Sequence, residues 1–173
     1  MKHRLALRDL ALLAVSTALL IGAQVLLSSL PNIELVSLLL IVYTQVFGKK
    51  ALFVIYGFTL IEGLIYGFHL WTINYMYVWL FLFFAAMLLR DLKSPLGWAF
   101  ISGIFGLLFG ALCSIPYFFI LGINGAIAYF ISGLLFDLAH CAGNFAVALL
   151  LYKPLHSVIE RAYNAGRPIG EAR

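Results

Sequence analysis

The stretch Val78-Trp79-Leu80-Phe81-Leu82-Phe83-Phe84-Ala85-Ala86-Met87-Leu88-Leu89 contains only apolar residues and ends at Arg90-Asp91. Apolar and polar residues do not alternate in it, as they would along a strand of a transmembrane β-barrel. A helix needs about 20 residues to cross about 30 Å of hydrocarbon. With the residues just before it, the stretch therefore predicts a membrane-spanning helix from about Trp71 to Leu89.

The composition of the whole chain favours the same class of protein. Of its 173 residues, 64% are hydrophobic and 10% are charged, whereas soluble domains carry about 25% charged residues. A soluble globule of this size could not bury so much apolar surface. The isoelectric point of 9.2 does not indicate a soluble nucleic-acid binder, because the basic residues form no dense cluster with exposed aromatic residues between them.

Turn residues and charges divide the chain into six predicted spans, which makes residues 1–173 a single all-α integral membrane domain. The spans are expected at about Arg8 to Ser29, Ile33 to Phe47, Ala51 to Phe68, Trp71 to Leu89, Leu96 to Leu121 and Ala126 to Tyr152. Residues 1–7 form a basic N-terminus and residues 154–173 a polar tail. Six crossings use about 120 residues, so no room remains for a soluble catalytic domain.

The distribution of Lys and Arg predicts the orientation of the spans, because these residues accumulate on the cytoplasmic side of a membrane. In the six-span topology all 11 basic residues fall on one side: Lys2, Arg4, Arg8, Lys49, Lys50, Arg90, Lys93, Lys153, Arg161, Arg167 and Arg173. The first, third and fifth turns contain none. Both termini are therefore expected in the cytoplasm.

Small residues recur at helical spacing in the first span, at Ala14, Ala18 and Gly22. In lipid, close backbone approach over small residues supplies much of the packing between helices. This face would contact either the other helices of the same chain or a helix of another subunit. The pairs Gly63/Gly67 and Gly106/Gly110 have the same spacing, and we expect them to pack inside the bundle.

Intramembrane acids are costly and are therefore candidates for function. Glu62 falls in the third span, and Asp137 lies near mid-depth in the sixth, followed on the same helix face by His140 and Asn144. Asp137 either pairs with His140 inside the bundle or carries protons. A metal site is not expected, because His140 and Cys141 are adjacent and point about 100° apart on a helix.

Polar and aromatic residues gather at the ends of the spans that face away from the basic side. An interfacial belt of Trp and Tyr would explain about half of them; together with amides and acids they also predict a concave ligand pocket. The candidate substrate-binding residues are Asn32, Glu34, Glu62, Trp71, Asn74, Tyr75, Tyr77, Trp79, Tyr117 and His140. Since no Lys or Arg lies on this side, the pocket is poorly suited to an anion.

No catalytic motif accompanies the pocket. Gly48-Lys49-Lys50 lacks the leading Gly and the Ser or Thr of a nucleotide-binding loop. There is no Ser-His-Asp spacing, no zinc-protease motif and no dinucleotide loop. We therefore expect neither an enzyme nor a bound cofactor, and the chain cannot hydrolyse ATP by itself.

Six spans, cytoplasmic termini, the Ala14-x-x-x-Ala18 motif and an external aromatic pocket together resemble the substrate-binding S components of energy-coupling-factor (ECF) vitamin transporters. The resemblance covers nearly the whole chain. It implies that Ala14, Ala18 and Gly22 dock on a transmembrane coupling (T) subunit that is driven by two cytoplasmic ATPases. It also implies a multi-pass protein of a prokaryotic cell membrane.

The range of candidate ligands is limited by the charge of the pocket rather than by a sequence motif. Folate, pantothenate and biotin are anions, and the lack of external basic residues argues against them. Metal-specific S components carry a His directly after the initiator Met, where this chain has Lys2. Cobalamin, or a neutral or cationic precursor, fits best. The alternatives are a proton-coupled secondary transporter that uses Glu62 or Asp137, and a small membrane enzyme or assembly factor.

Overall fold

The computed structural model describes residues 7–30 and 32–165, and within these ranges its regular secondary structure is entirely helical. The elements are α1 (Leu7–Leu27), α2 (Val36–Phe47), a 3₁₀ turn (Gly48–Lys50), α3 (Ala51–Tyr66), α4 (Leu70–Leu88), α5 (Pro95–Cys113) and α6 (Ile115–Asn164). The all-α prediction is confirmed.

Five helical stretches in the described part of the chain are long and apolar enough to cross a membrane. Four of them are α1, α4, α5 and α6, and the fifth runs through α2, the 3₁₀ turn and α3 as Val36–Tyr66. The membrane-embedded character of the chain is thus supported. The count of six spans and their orientation remain predictions.

The helical segments near the predicted fifth turn differ from the expected spans. Pro116 has no N–H to donate to the Leu112 carbonyl, and α5 accordingly ends at Cys113 before α6 begins at Ile115. The expected loop at residues 122–125 is reduced to a single non-helical residue, Gly122, whose φ of 70° suits glycine. Beyond the predicted end of the last span at Tyr152, α6 continues as a helix through Pro154 to Asn164.

The pairing of α5 with α6 is the most extensive in the bundle, and glycines make it close. A Cβ atom on Gly106 would lie 2.8 Å from the His140 carbonyl oxygen, and one on Gly103 would lie 3.3 Å from the Cys141 carbonyl oxygen. The expected internal packing of Gly106 and Gly110 is confirmed. Gly63 is buried in α3 and faces the ring of Phe68, and Gly67 ends α3.

Several basic groups meet at one end of the bundle, which we call the basic end. Lys50 Nζ lies 2.6 Å from Asp9 Oδ2, and the Arg8 guanidinium donates to the carbonyls of Ala162 (3.2 Å) and Tyr163 (2.7 Å). These contacts join the start of α1, the turn between α2 and α3, and the end of α6. The candidate site lies away from this end.

Candidate ligand-binding cavity

A cavity of about 490 Å³ lies between the loop after α1 and helices α4, α5 and α6. This volume is within the range of small-molecule sites, about 300–1,000 Å³. The lining residues are Gln24, Leu27, Ser28, Leu30, Asn32, Ile33, Glu34, Tyr75, Trp79, Phe109, Gly110, Tyr129, Ser132, Gly133, Phe136, Asp137 and His140. The cavity therefore combines aromatic rings with two carboxylates and one imidazole.

Glu34 fixes the start of α2 to the middle of α6. Its Oε2 accepts a hydrogen bond of 2.9 Å from the Ser37 backbone N–H, one of the donors that a helix N-terminus leaves without an intrahelical partner. Its Oε1 lies 3.3 Å from His140 Nε2. One turn further along α6, Asn144 Nδ2 donates to Ser37 Oγ at 3.2 Å. The cavity wall at Glu34 is therefore held from two helices.

Asp137 is bound to α5 rather than to its neighbour on α6. The backbone N–H of Gly110 donates to Asp137 Oδ1 at 3.0 Å. Of the two accounts of Asp137, a pairing with His140 is not found as a hydrogen bond among the described residues, since His140 reaches Glu34. The reason is the missing side chain of Gly110, which lets α5 approach Asp137 closely. Asp137 Oδ2 is buried without a hydrogen-bond partner among the residues described.

An aromatic wall forms the side of the cavity contributed by α4 and α5. The Trp79 ring lies 5.0 Å from Tyr75 and 5.8 Å from Phe109, and Phe109 lies edge-on to the His140 ring at 5.1 Å. Trp79 is 3% exposed. Its Nε1–H has no acceptor in the described parts of the chain. The wall therefore consists of packed aromatic rings, among which the Trp79 N–H is unpartnered within the described residues.

Five of the ten predicted substrate-binding residues line this cavity: Asn32, Glu34, Tyr75, Trp79 and His140. The other five do not. The Trp71 ring lies tilted against Tyr75 at 4.0 Å, and Tyr117 stacks on Tyr129 at 4.2 Å, so each lies one ring behind the cavity wall.

Asn74 and Tyr77 are used for packing instead. The Tyr77 hydroxyl lies 3.0 Å from Asn74 Oδ1 and donates to the Leu112 carbonyl at 2.6 Å. In a continuous helix residue 116 would donate its N–H to that carbonyl, but Pro116 has no N–H. The pair therefore ties α4 to the break between α5 and α6.

Glu62 also lies outside the cavity lining. It is fully buried in α3, and neither carboxylate oxygen has a hydrogen-bond partner within residues 7–30 and 32–165. A buried polar group without a partner costs free energy. Its burial in a membrane-spanning stretch marks Glu62 as a candidate for a function separate from the cavity.

Several lining residues were missed by the sequence analysis, among them Phe109, Tyr129, Ser132 and Phe136. The last three precede Asp137 on α6 within about two turns. Extending the helical spacing backwards from Asp137 would have found Tyr129 and Gly133, which share its face. Phe109 gives no such signal, because it resembles any lipid-facing residue of a membrane helix.

The Ala14/Ala18 motif of α1 lies outside the buried side of that helix. Leu13, Ser16, Thr17 and Leu20 are its buried side, and the Thr17 methyl would lie 3.2 Å from a Cβ on Gly57 in α3. Ala14 and Ala18 are exposed, and a Cβ on Gly22 would meet nothing within 4 Å. The motif was expected to contact either the chain's own helices or a helix of another subunit, and packing within the chain is not supported.

In the described residues no group of three or more His, Cys, Asp or Glu side chains could hold a metal ion. Comparisons of the chain with protein-family models, curated proteins and solved structures give no match. The chemistry of the cavity and of the α1 face is therefore the basis for proposing a function.

Proposed function

We propose that this chain is the substrate-binding S component of an ECF-type importer and captures a vitamin or related micronutrient outside a prokaryotic cell. The observation that carries the proposal is the outward small-residue face of α1. Ala14 and Ala18 are exposed rather than buried against the chain's own helices, and side chains of this size permit the closest helix approach. Such a face suits docking on a T subunit.

The cavity supports the capture step. It has a volume of about 490 Å³ and is lined by aromatic rings and hydrogen-bonding groups. Tyr75 and Trp79 would supply contact area, while Asn32 and Glu34 would orient polar groups of the solute. With the termini in the cytoplasm, this end of the bundle would face outwards.

The volume bears on the choice of ligand. A whole cobalamin, with its corrin ring and nucleotide arm, is far larger than the drug-sized ligands that cavities of this class enclose. A smaller neutral or cationic vitamin or precursor is therefore favoured. Transport would follow when the T subunit and its two ATPases engage the α1 face and the loaded chain reorients. ATP hydrolysis would remain in those partners.

The test compares two variants with matched bulk. Ala14→Leu/Ala18→Leu enlarges the α1 face, and Ala142→Leu/Ala146→Leu makes the same change at two exposed positions on α6 with the same spacing. Each is co-expressed with T and ATPase subunits. We expect the α1 variant to lose co-purification and uptake while it binds solute normally, and the α6 variant to keep all three.

Two results would contradict the proposal. If only the α6 variant failed to assemble, the T subunit would dock on α6 and not on α1. Loss of solute binding and detergent stability in the α1 variant would show that the face packs within the chain, because overpacking costs about 1–3 kcal/mol.

Glu62 favours a second candidate function, a stand-alone secondary transporter. A buried carboxylate without a partner is the type of group that proton-coupled transporters use. This function predicts uptake by the purified chain alone in proteoliposomes with an imposed pH gradient, abolished by Glu62→Gln. Uptake that requires ATP and the T subunit would exclude it.

A further inference from the structure

Charge is unevenly distributed along the bundle, and the cavity lies in its negative part. Glu34 and Asp137 line the cavity, and no Lys or Arg does. The described basic residues lie near the other ends of the helices; Lys153, for example, is about 24 Å further along α6 than Asp137 at 1.5 Å per residue. Even a protonated His140 would offset only one of the two carboxylates.

The carboxylates of Glu34 and Asp137 accept fewer hydrogen bonds than they have acceptor positions. An ionised carboxylate has about four acceptor positions. Glu34 meets Ser37 N–H and His140, whereas Asp137 meets one N–H and leaves Oδ2 without a partner. Asp137 is 4% exposed, so an unpaired negative charge here is costly without a ligand.

The aromatic rings of the cavity also favour a cationic ligand. Tyr75, Trp79 and Tyr129 line the cavity together with Phe109 and Phe136. The faces of aromatic rings attract cations, with Trp the strongest. Carboxylates and ring faces thus converge on one kind of ligand, and the lining contains no group that would bind an anionic one by an ion pair.

We infer that the cavity takes an organic cation with an aromatic or heteroaromatic body, whose positive charge lies against the Glu34–Asp137 side and whose ring lies against the Tyr75–Trp79 wall. This inference rests on the proposed capture of a small solute and names the charge class of that solute. It excludes the neutral ligands that the proposed function otherwise allows.

The experiment uses three probes with one ring and three charges: 1-methylnicotinamide (cation), nicotinamide (neutral) and nicotinate (anion). Binding to the purified full chain is measured by calorimetry and by the fluorescence of the tryptophans. We expect the cation to bind at least about tenfold more tightly than nicotinamide, a difference of about 1.4 kcal/mol, and nicotinate to bind least.

Matched variants locate the charge effect. Glu34→Gln keeps an acceptor for Ser37 N–H but removes the charge, so it should lower the affinity of the cation about tenfold and that of nicotinamide clearly less. Glu160→Gln makes the same substitution on a largely exposed side chain near the basic end and should change neither. Equal losses for both probes in Glu34→Gln would overturn the inference.

A second measurement uses the chain's own ligand. Small molecules that co-purify with the chain are extracted, and their charge is determined by ion exchange and mass spectrometry; we expect a cation. Failure of 1-methylnicotinamide to bind at millimolar concentration, or tight binding of a neutral or anionic vitamin, would overturn the cation class. If a neutral or anionic vitamin bound tightly, ATP-dependent uptake with the T subunit would still support substrate capture. The proposed function and the cationic class of the ligand can therefore fail separately.

Discussion

The imidazole Nε2 of His140 lies 3.3 Å from the carboxylate Oε1 of Glu34, which joins two residues that are 106 positions apart. The contact brings the start of α2 to the middle of α6 and forms one wall of the cavity. Because Glu34 also accepts from Ser37 N–H, the same side chain positions the helix start and the wall. Loss of this side chain should therefore affect both stability and binding.

We expect Glu34→Ala to destabilise the chain by about 1–3 kcal/mol, since it leaves Ser37 N–H without its acceptor and His140 without its hydrogen-bond partner. Glu34→Gln should cost less, because its amide oxygen can still accept from Ser37. Thermal unfolding in detergent measures both changes. Equal stability of Glu34→Ala and the parent chain would show that the contact contributes nothing to folding.

Tyr77→Phe should cost about 1–3 kcal/mol, because the Leu112 carbonyl loses the donor that replaces the missing Pro116 N–H. Pro116→Ala supplies an N–H that can serve that carbonyl directly. In the Pro116→Ala background Tyr77→Phe should therefore cost clearly less. A double-mutant cycle of unfolding free energies measures this coupling, and strict additivity would argue against it.

Gly106→Ala should force α5 and α6 apart, because its Cβ would lie 2.8 Å from the backbone oxygen of His140. We expect a loss of about 1–3 kcal/mol. Gly133→Ala is the matched control, since a Cβ there meets nothing within 4 Å. It should be neutral or stabilising by up to about 1 kcal/mol, because Ala favours helix. Comparable destabilisation by both variants would mean that the contact is not close.

The orientation can be tested with single cysteines in a chain in which Cys113 and Cys141 are replaced by Ala. His69, Asn124 and Lys93 are all exposed. Cysteines at His69 and Asn124 should react with an impermeant thiol reagent added to intact cells, and a cysteine at Lys93 should react only after lysis. External labelling at Lys93 would overturn the topology with both termini inside.

The helical class of the fold was predictable because it follows from local patterns. Apolar runs such as Val78 to Leu89 give the helices, and small residues such as Gly106 mark where two of them approach closely. The boundary near Ser114 was less predictable. There Pro116 breaks the helix without ending the apolar run, so hydropathy carries no signal of the break. At Gly122 the glycines did indicate a turn, but only one residue leaves the helical conformation.

The candidate site was only partly predictable, and the reason is tertiary. Tyr75 and Tyr77 look equivalent in the sequence, but Tyr77 is taken by a carbonyl on another helix and Tyr75 lines the cavity. His140 was matched with Asp137 because the two are neighbours on one helix. Its actual partner, Glu34, lies on another element, and spacing along a single helix cannot reveal such a contact.

The hydrogen bonds from Arg8 to the carbonyls of Ala162 and Tyr163 have a consequence for biogenesis. Chains are made from the N-terminus, so Arg8 leaves the ribosome long before the residues that accept its hydrogen bonds. The basic end can therefore close only after α6 has been made and inserted. A ribosome-stalled chain that lacks residues 155–165 should leave that end open, and α1 would then be the helix most accessible to insertases and proteases.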